Sequence, residues 1–444
     1  MYRFIVFIGM CILYIIYSLI PNDLIYAVYI TVCLLAFLLA FQKLQPKNKA
    51  FTGFLFTVGV LIHFLYGNKG LDLFQGITQN LALLAIIILA PLIFYPLEGE
   101  GVIESVMSRL RVWQNDRRKS FFGIGGFMMM LAPILNMGAV RVVHGFIGKL
   151  TIEPKLLARS YFSGFTPAIV WSPFFASVGI ALSFAGMPYI TYLPVGLGFA
   201  FLMVIASVLL HRPAKSETAA TLEDVEEKPD KSNRGFISLI FYVLFLVVLL
   251  TSLEFLTKLP MLLLVSINCI VIPLVWTTIR NRWDWVKQEF RHYQDQVASK
   301  TNMEISLFLS AGLFGNSLMH TPITSGLGSA ISWTSQWSVL LVFLFVVVFV
   351  STMALLGIHQ IIAVSIIFPL LLLPEVEISL VVAAFMCIYS WMFSSSLSPL
   401  NALNIMISTS VRTNGVRAGI IWNGKYFAAT FILAMGYILI LNHF

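Results

Sequence analysis

Long apolar runs separated by short polar stretches recur along the whole chain. Continuous runs fill residues 3–20, 25–41, 50–67, 78–96, 191–210, 235–254, 260–279 and 424–442. Each is close to the roughly 20 residues an α-helix needs to cross a bilayer, so each predicts a span. Three further regions, 120–148, 157–185 and 304–411, are apolar but interrupted. Two interruptions are dense in polar groups and prolines: 163-SGFTPAIVWSPFF-175 and 394-SSSLSPLNALN-404. The pattern predicts an all-α polytopic membrane protein with about 11 transmembrane helices and two re-entrant hairpins.

Composition narrows the classes. Of 444 residues, 59% are hydrophobic and 11% charged, with a mean hydropathy of +0.90. A soluble domain carries about 25% charged residues, so a soluble enzyme is excluded. The formal charge is +8, from 28 Lys and Arg against 20 Asp and Glu. The basic residues lie in short loops, which assigns them to helix orientation rather than to nucleic acid. Cys11, Cys33, Cys269 and Cys387 lie inside apolar runs, without metal spacing, and read as small buried hydrophobes. The N-terminal run lacks a cleavage site and reads as a retained span. Walker, His-Glu-x-x-His and Gly-x-Ser-x-Gly motifs are absent, so no enzymatic activity is expected and no resident cofactor or metal.

The basic loops also set an orientation. Residues 43–49, 109–119, 211–234 and 280–294 are rich in Lys and Arg and are expected in the cytoplasm. The loops near 21–24, 186–189 and 374–377 are almost free of them and are expected outside. Threading the spans accordingly places the N-terminus in the cytoplasm and the C-terminus outside a cell membrane. Region 120–148 has basic residues at both ends (Arg117, Arg118 and Lys119, then Lys149 and Lys155), so it should enter and return as a hairpin turning near 135–138. The mixed-charge segment 211–234 reads as a flexible cytoplasmic linker near the chain's midpoint.

The two sides of that linker repeat one order of features. Asn80 to Gly138 is 58 residues, and Asn302 to Gly357 is 55; Gly138 to Ser172 is 34, and Gly357 to Ser398 is 41. The first copy starts outside and the second inside, so the repeat is inverted. The expected organisation is an extra span at 1–24, a first repeat at 25–210 and a second at 235–444. The first contains hairpin 120–148 and broken helix 157–185. The second contains hairpin 338–373, turning near 356–360, and broken helix 378–411. Inverted repeats with broken helices place transporter sites where the breaks meet near the midplane.

The candidate binding residues follow from those breaks. In the first copy they are Asn136 and Gly138 at the hairpin turn, then Ser163, Thr166, Pro167 and Ser172. In the second they are Gly357, His359 and Gln360, then Ser396, Ser398, Pro399, Asn401 and Asn404. Prolines free backbone carbonyls, which with hydroxyls suit sodium, while half-helix N-termini suit anions. The alternative is a pair of structural kinks whose hydroxyls bond back to the backbone. Arg141 and His144, three apart, either contact an anion or snorkel to the surface. His320 in 315-GNSLMHTPITSG-326 reads as part of a span end or as a site residue.

Taken together, the inverted hairpins and the paired Ser/Thr-Pro breaks resemble the ion transporter superfamily, nearest to divalent anion/sodium symporters and then arsenite permeases. The resemblance covers about residues 25–442. The Ser-Asn-Thr triplets of that family's hairpin tips are not matched in 135-LNMGAV-140 and 356-LGIHQI-361, where only Asn136 echoes them. The resemblance implies a homodimer through spans at 25–67 and 235–279. The expected function is secondary active transport of a small organic or inorganic anion by alternating access, coupled to sodium or protons. The expected partners are that solute and the lipid bilayer, without nucleic acid. A membrane assembly or polymer-export factor is the alternative from another class.

Overall fold

The computed structural model describes residues 2–66, 72–112, 116–147, 152–210, 234–319 and 321–443. Lys149, His320 and all of the expected linker but Arg234 lie outside the described residues. The chain is 86% helical and has no strand among the described residues. In chain order the helices are α1 Tyr2–Leu19, α2 Asp23–Gln42, α3 Pro46–Leu65, α4 Asp72–Thr78, α5 Leu81–Leu89, α6 Tyr95–Gly99, α7 Val102–Val112, α8 Arg117–Leu135, α9 Gly138–Ile147, α10 Pro154–Trp171 and α11 Ala176–Ala185. There follow α12 Tyr189–Leu210, α13 Arg234–Thr257, α14 Met261–Arg280, α15 Trp283–Lys300, α16 Asn302–Leu318, α17 Pro322–Ser335, α18 Val339–Leu355, α19 Gln360–Leu371, α20 Leu380–Leu397, α21 Ala402–Ser410 and α22 Gly424–Leu441. A 3-10 turn at Ala90–Phe94 joins α5 to α6, and a π-helix at Val416–Ile421 precedes α22.

This is a multi-pass membrane protein. Ten helical segments among the described residues are long and apolar enough to cross a bilayer, counting Gln75–Gly99 (the end of α4 through α6), α10–α11 and α20–α21 as one each. The first apolar stretch of the interrupted region 304–411 lies in the 17-residue α16. At 1.5 Å per residue that helix is about 26 Å long, short of a hydrocarbon core of roughly 30 Å.

The chain forms two compact units, and each draws on both halves of the sequence. Unit one holds residues 1–96, 257–336 and 361–377. Its α16 packs on α3, α4 and α2, and α14 packs on α5. Asn80 donates to the carbonyl of Phe308 at 3.3 Å, and Tyr293 OH donates to Ile88 O at 2.9 Å. Arg3 donates to Asn302 Oδ1, which ties α1 to the start of α16.

Unit two holds residues 97–256, 337–360 and 378–444. Asp116 starts α8 by accepting from the backbone N–H groups of Arg118 and Lys119 at 2.9 and 3.0 Å. Those bonds, the one from Lys119 foremost, hold its carboxyl below the usual carboxylate range. α8 and α9 pack together about the turn Asn136–Met137, and α8 packs along α10. α11 and α18 both pack on α20, while α22 packs on α12, α18 and α20. Glu254 closes another gap by accepting from the N–H groups of Tyr189 and Ile190, donors at the start of α12 that have no intrahelical acceptor. Of the spans implied in a homodimer, 25–65 and 261–279 fall in unit one and 235–254 in unit two.

Candidate functional site

Unit two contains two interrupted helices built on one hydrogen-bond plan. α10 stops at Trp171 and α20 at Leu397, each one residue before a Ser-Pro pair. Proline forces the preceding residue out of the helical region. Accordingly Ser172 (φ −72°, ψ 132°) and Ser398 (φ −68°, ψ 120°) are both extended. The next half-helices, α11 and α21, begin at Ala176 and Ala402. Each lies four positions after its serine.

Both serine hydroxyls reach the arm that leads into a neighbouring turn. Ser172 Oγ donates to the carbonyl of Pro133 at 2.9 Å, and Ser398 Oγ donates to that of Ala354 at 2.7 Å. Each also accepts a backbone N–H two residues on, from Phe174 and Leu400, both at 3.3 Å. Pro133 and Ala354 each lie three residues before a backbone in the left-handed region: Asn136 at φ 51° and Gly357 at φ 82°. Gly357 bears that angle without a Cβ clash, whereas Asn136, with ψ −133°, lies outside the αL basin that asparagine tolerates and is held there against strain. A second bond spans each break. Ser177 Oγ donates to Ile169 O at 2.8 Å, and Asn404 Nδ2 donates to Ser396 O at 2.9 Å. Each joins residues eight apart, and each occupies a carbonyl near the end of the first half-helix.

The side chains beyond this shared frame differ. The first break is lined mainly by aromatic rings: Phe174 and Phe175 are buried, Phe175 meets Phe165 edge-on at 5.5 Å, α11 has no side-chain cap, and its one open polar side-chain atom is the buried indole Nε1 of Trp171. The second is polar. Asn401 Oδ1 caps α21 by accepting from Leu403 N at 2.9 Å, while Asn401 Nδ2 donates to Gln360 Oε1 at 2.9 Å. Gln360 and Asn404 are fully buried at 0% exposure. Gln360 Nε2 has no acceptor and Asn404 Oδ1 no donor. One buried donor and one buried acceptor therefore remain open beside the break. Leaving such groups unsatisfied costs about 1–3 kcal/mol each, which a polar occupant or water would offset.

The other candidate residues scatter around this centre. Thr166 donates to Phe162 O at 2.8 Å, and its Oγ1 lies 3.1 Å from Tyr426 OH. Ser396 donates to Met392 O at 2.8 Å. Ser163 is buried within α10, and Pro167 lies inside that helix. Pro399 abuts Gly415, where an added Cβ would lie 2.8 Å from its Cα. His359 meets Trp391 edge-on at 5.7 Å. Asn136 and Gly138 are half-buried, and Gly357 is exposed. Arg141 is exposed on α9, and His144 Nδ1 lies 3.0 Å from Tyr161 OH.

Several participants carry no polar signal in the sequence. Pro133 and Ala354 act through main-chain oxygen. Tyr426 comes from α22, and Gly419 from the π-helix. A Cβ on Gly419 would lie 2.5 Å from Ser396 O and 2.6 Å from Asn404 Nδ2, so only glycine fits there. Among the described residues, no cluster of three or more His, Cys, Asp or Glu could hold a metal ion. The chain matches no protein-family model and no curated protein.

Proposed function

We propose that the chain is a secondary active transporter that moves a small organic or inorganic anion by alternating access, coupled to sodium or protons. The observation that carries this reading is the pair of equivalent Ser-Pro breaks in unit two, each bonded to the approach of a turn. Non-helical backbone at membrane depth is tolerated where it is buried or lines a cavity. Two such breaks from the two halves of one chain are how secondary transporters build a central site.

In this reading unit two is the transport unit and unit one the scaffold. The N-termini of α11 and α21 present partial positive charge to an anion. Asn401 and the open amide of Gln360 orient it. The open Oδ1 of Asn404 and the carbonyls ending α20 supply neutral oxygens that suit a sodium ion. The membrane is a cell membrane, with the N-terminus in the cytoplasm and the C-terminus outside.

The test is a thermal-shift screen of the purified full chain against small anions and neutral solutes, with and without sodium. A ligand stabilises the folded state it binds. An anion should raise the melting temperature, further with sodium if sodium is the coupling ion. That anion should then accumulate in proteoliposomes under a sodium or proton gradient. Stabilisation by neutral solutes alone would overturn the anion assignment.

A further inference from the structure

Unit two contains a cavity of about 630 Å³ at the C-terminal end of α21, lined in part by His144, Glu153, Lys155, Arg412, Arg417 and Trp422. We propose that it is a second anion site, one that binds a phosphate group.

Its cations are placed by specific structure. α21 ends in a Schellman motif, with Thr413 N donating to Ser408 O at 2.8 Å and Arg412 N to Thr409 O at 3.1 Å. The left-handed position of that motif normally belongs to glycine. Here it is Arg412, at φ 53°. An arginine kept at a strained backbone position on a cavity wall points to a role for its guanidinium. The guanidinium of Arg417 lies over the Trp422 ring at 5.5 Å, and Arg159 Nε donates to Trp422 O at 3.1 Å. Arg417 thus stacks on the ring while Arg159 fixes the main chain of the same residue, and Arg417 is preorganised.

The helix end at the cavity has the matching polarity. Glu153 precedes the first turn of α10 but makes no side-chain cap; its carboxylate pairs with Arg117 instead. The N–H groups that open the 18-residue α10 are thus left without a side-chain cap. A helix N-terminus, two arginines and a lysine around one cavity outnumber the single, already paired carboxylate. Arginine's planar fork suits phosphate oxygens in particular.

Phosphate of this kind comes either from a free anion or from a lipid headgroup, and two probes separate the sources. The full chain, purified in detergent and stripped of lipid, is titrated with inorganic phosphate by thermal shift. In parallel it is loaded with phosphatidylglycerol or phosphatidylcholine and read by native mass spectrometry. Saturable stabilisation by inorganic phosphate supports the free anion. Retention of phosphatidylglycerol over phosphatidylcholine supports the headgroup. The double variant R412Q/R417Q should weaken whichever binds by about tenfold or more, since two charge-assisted contacts are lost. K119Q removes an exposed cation of the same unit that does not line the cavity, and should leave affinity unchanged. R412G relieves the strained position while removing the charge, so it should melt no lower than the parent without ligand yet bind more weakly. The proposal is overturned if neither probe binds, if R412Q/R417Q binds like the parent, or if K119Q weakens binding as much as the double variant.

Discussion

The break at Ser172 and the break at Ser398 share a skeleton and differ in lining. Both have a serine bonded to a carbonyl on the approach to a turn, a proline, and a half-helix starting four residues on. Around the first, phenylalanines fill the space; around the second, Asn401, Asn404 and Gln360 do. The shared part is what any interrupted helix requires, because its freed backbone groups must find partners. The part that differs is free to serve chemistry. Discrimination among solutes is therefore expected at the second break, with the first serving mainly as a rigid counterpart.

The sharpest way to break this comparison is the double variant Ser398→Ala, Asn401→Ala. Transport in proteoliposomes should fall by about a hundredfold or more, with expression and monodispersity retained, because positioned polar contacts act together. Full activity would remove the second break from the site, and the reading as an assembly or export factor would regain its place.

A conversion test comes next. Phe175→Asn gives α11 the cap that Asn401 gives α21, a gain of about 1 kcal/mol. It also removes a buried aromatic ring worth about 3–5 kcal/mol. Burial wins, and the variant should be destabilised by about 2–4 kcal/mol in thermal or denaturant unfolding. A stabilised variant would show that the first break is not a packed core.

Ser172→Ala should destabilise by about 1–3 kcal/mol, since it removes the side-chain donor of the buried Pro133 carbonyl, whereas Ser398→Ala should cost less, because Ala354 O keeps the backbone N–H of Gly357 at 3.1 Å. Ser398→Ala should be the milder change in stability, yet it alone should lower transport strongly. Equal transport losses would make the two breaks functional equals. The smallest effect is expected from Tyr426→Phe, which removes the partner of Thr166 while that hydroxyl keeps its bond to Phe162 O. About 1 kcal/mol or less should be lost.

Much of the architecture was legible because its causes are local. Runs of apolar residues make the spans, and the prolines at 173 and 399 force Ser172 and Ser398 out of helical geometry before any packing is considered. The all-α membrane class followed directly. The partners of those serines did not, because Pro133 and Ala354 contribute main-chain oxygen, which no residue type advertises. The division into units was also hidden. Each unit mixes segments of both halves, and the boundary at 360–361 falls where the sequence suggested one continuous hairpin over 338–373. The cavity near Arg412 escaped for a related reason. Its residues come from 144, 152–157 and 410–422, and only the Schellman turn brings the arginine's backbone angle into view.

The π-helix at Val416–Ile421 has a consequence for how α22 is aimed. A π turn closes its hydrogen bond five residues back, as Trp422 N does to Arg417 O at 2.9 Å, and so accommodates one residue more than an α turn. Because an α-helix advances about 100° per residue, that extra residue rotates the phase of everything after it by roughly a third of a revolution. Gly419 can then lie against Ser396 while, farther along, Tyr426 faces Thr166. α22 is thereby keyed to both half-helices by rotation rather than by length. Deleting one residue between 416 and 421 would preserve the helix and its hydropathy but turn its contact face away from one of the two.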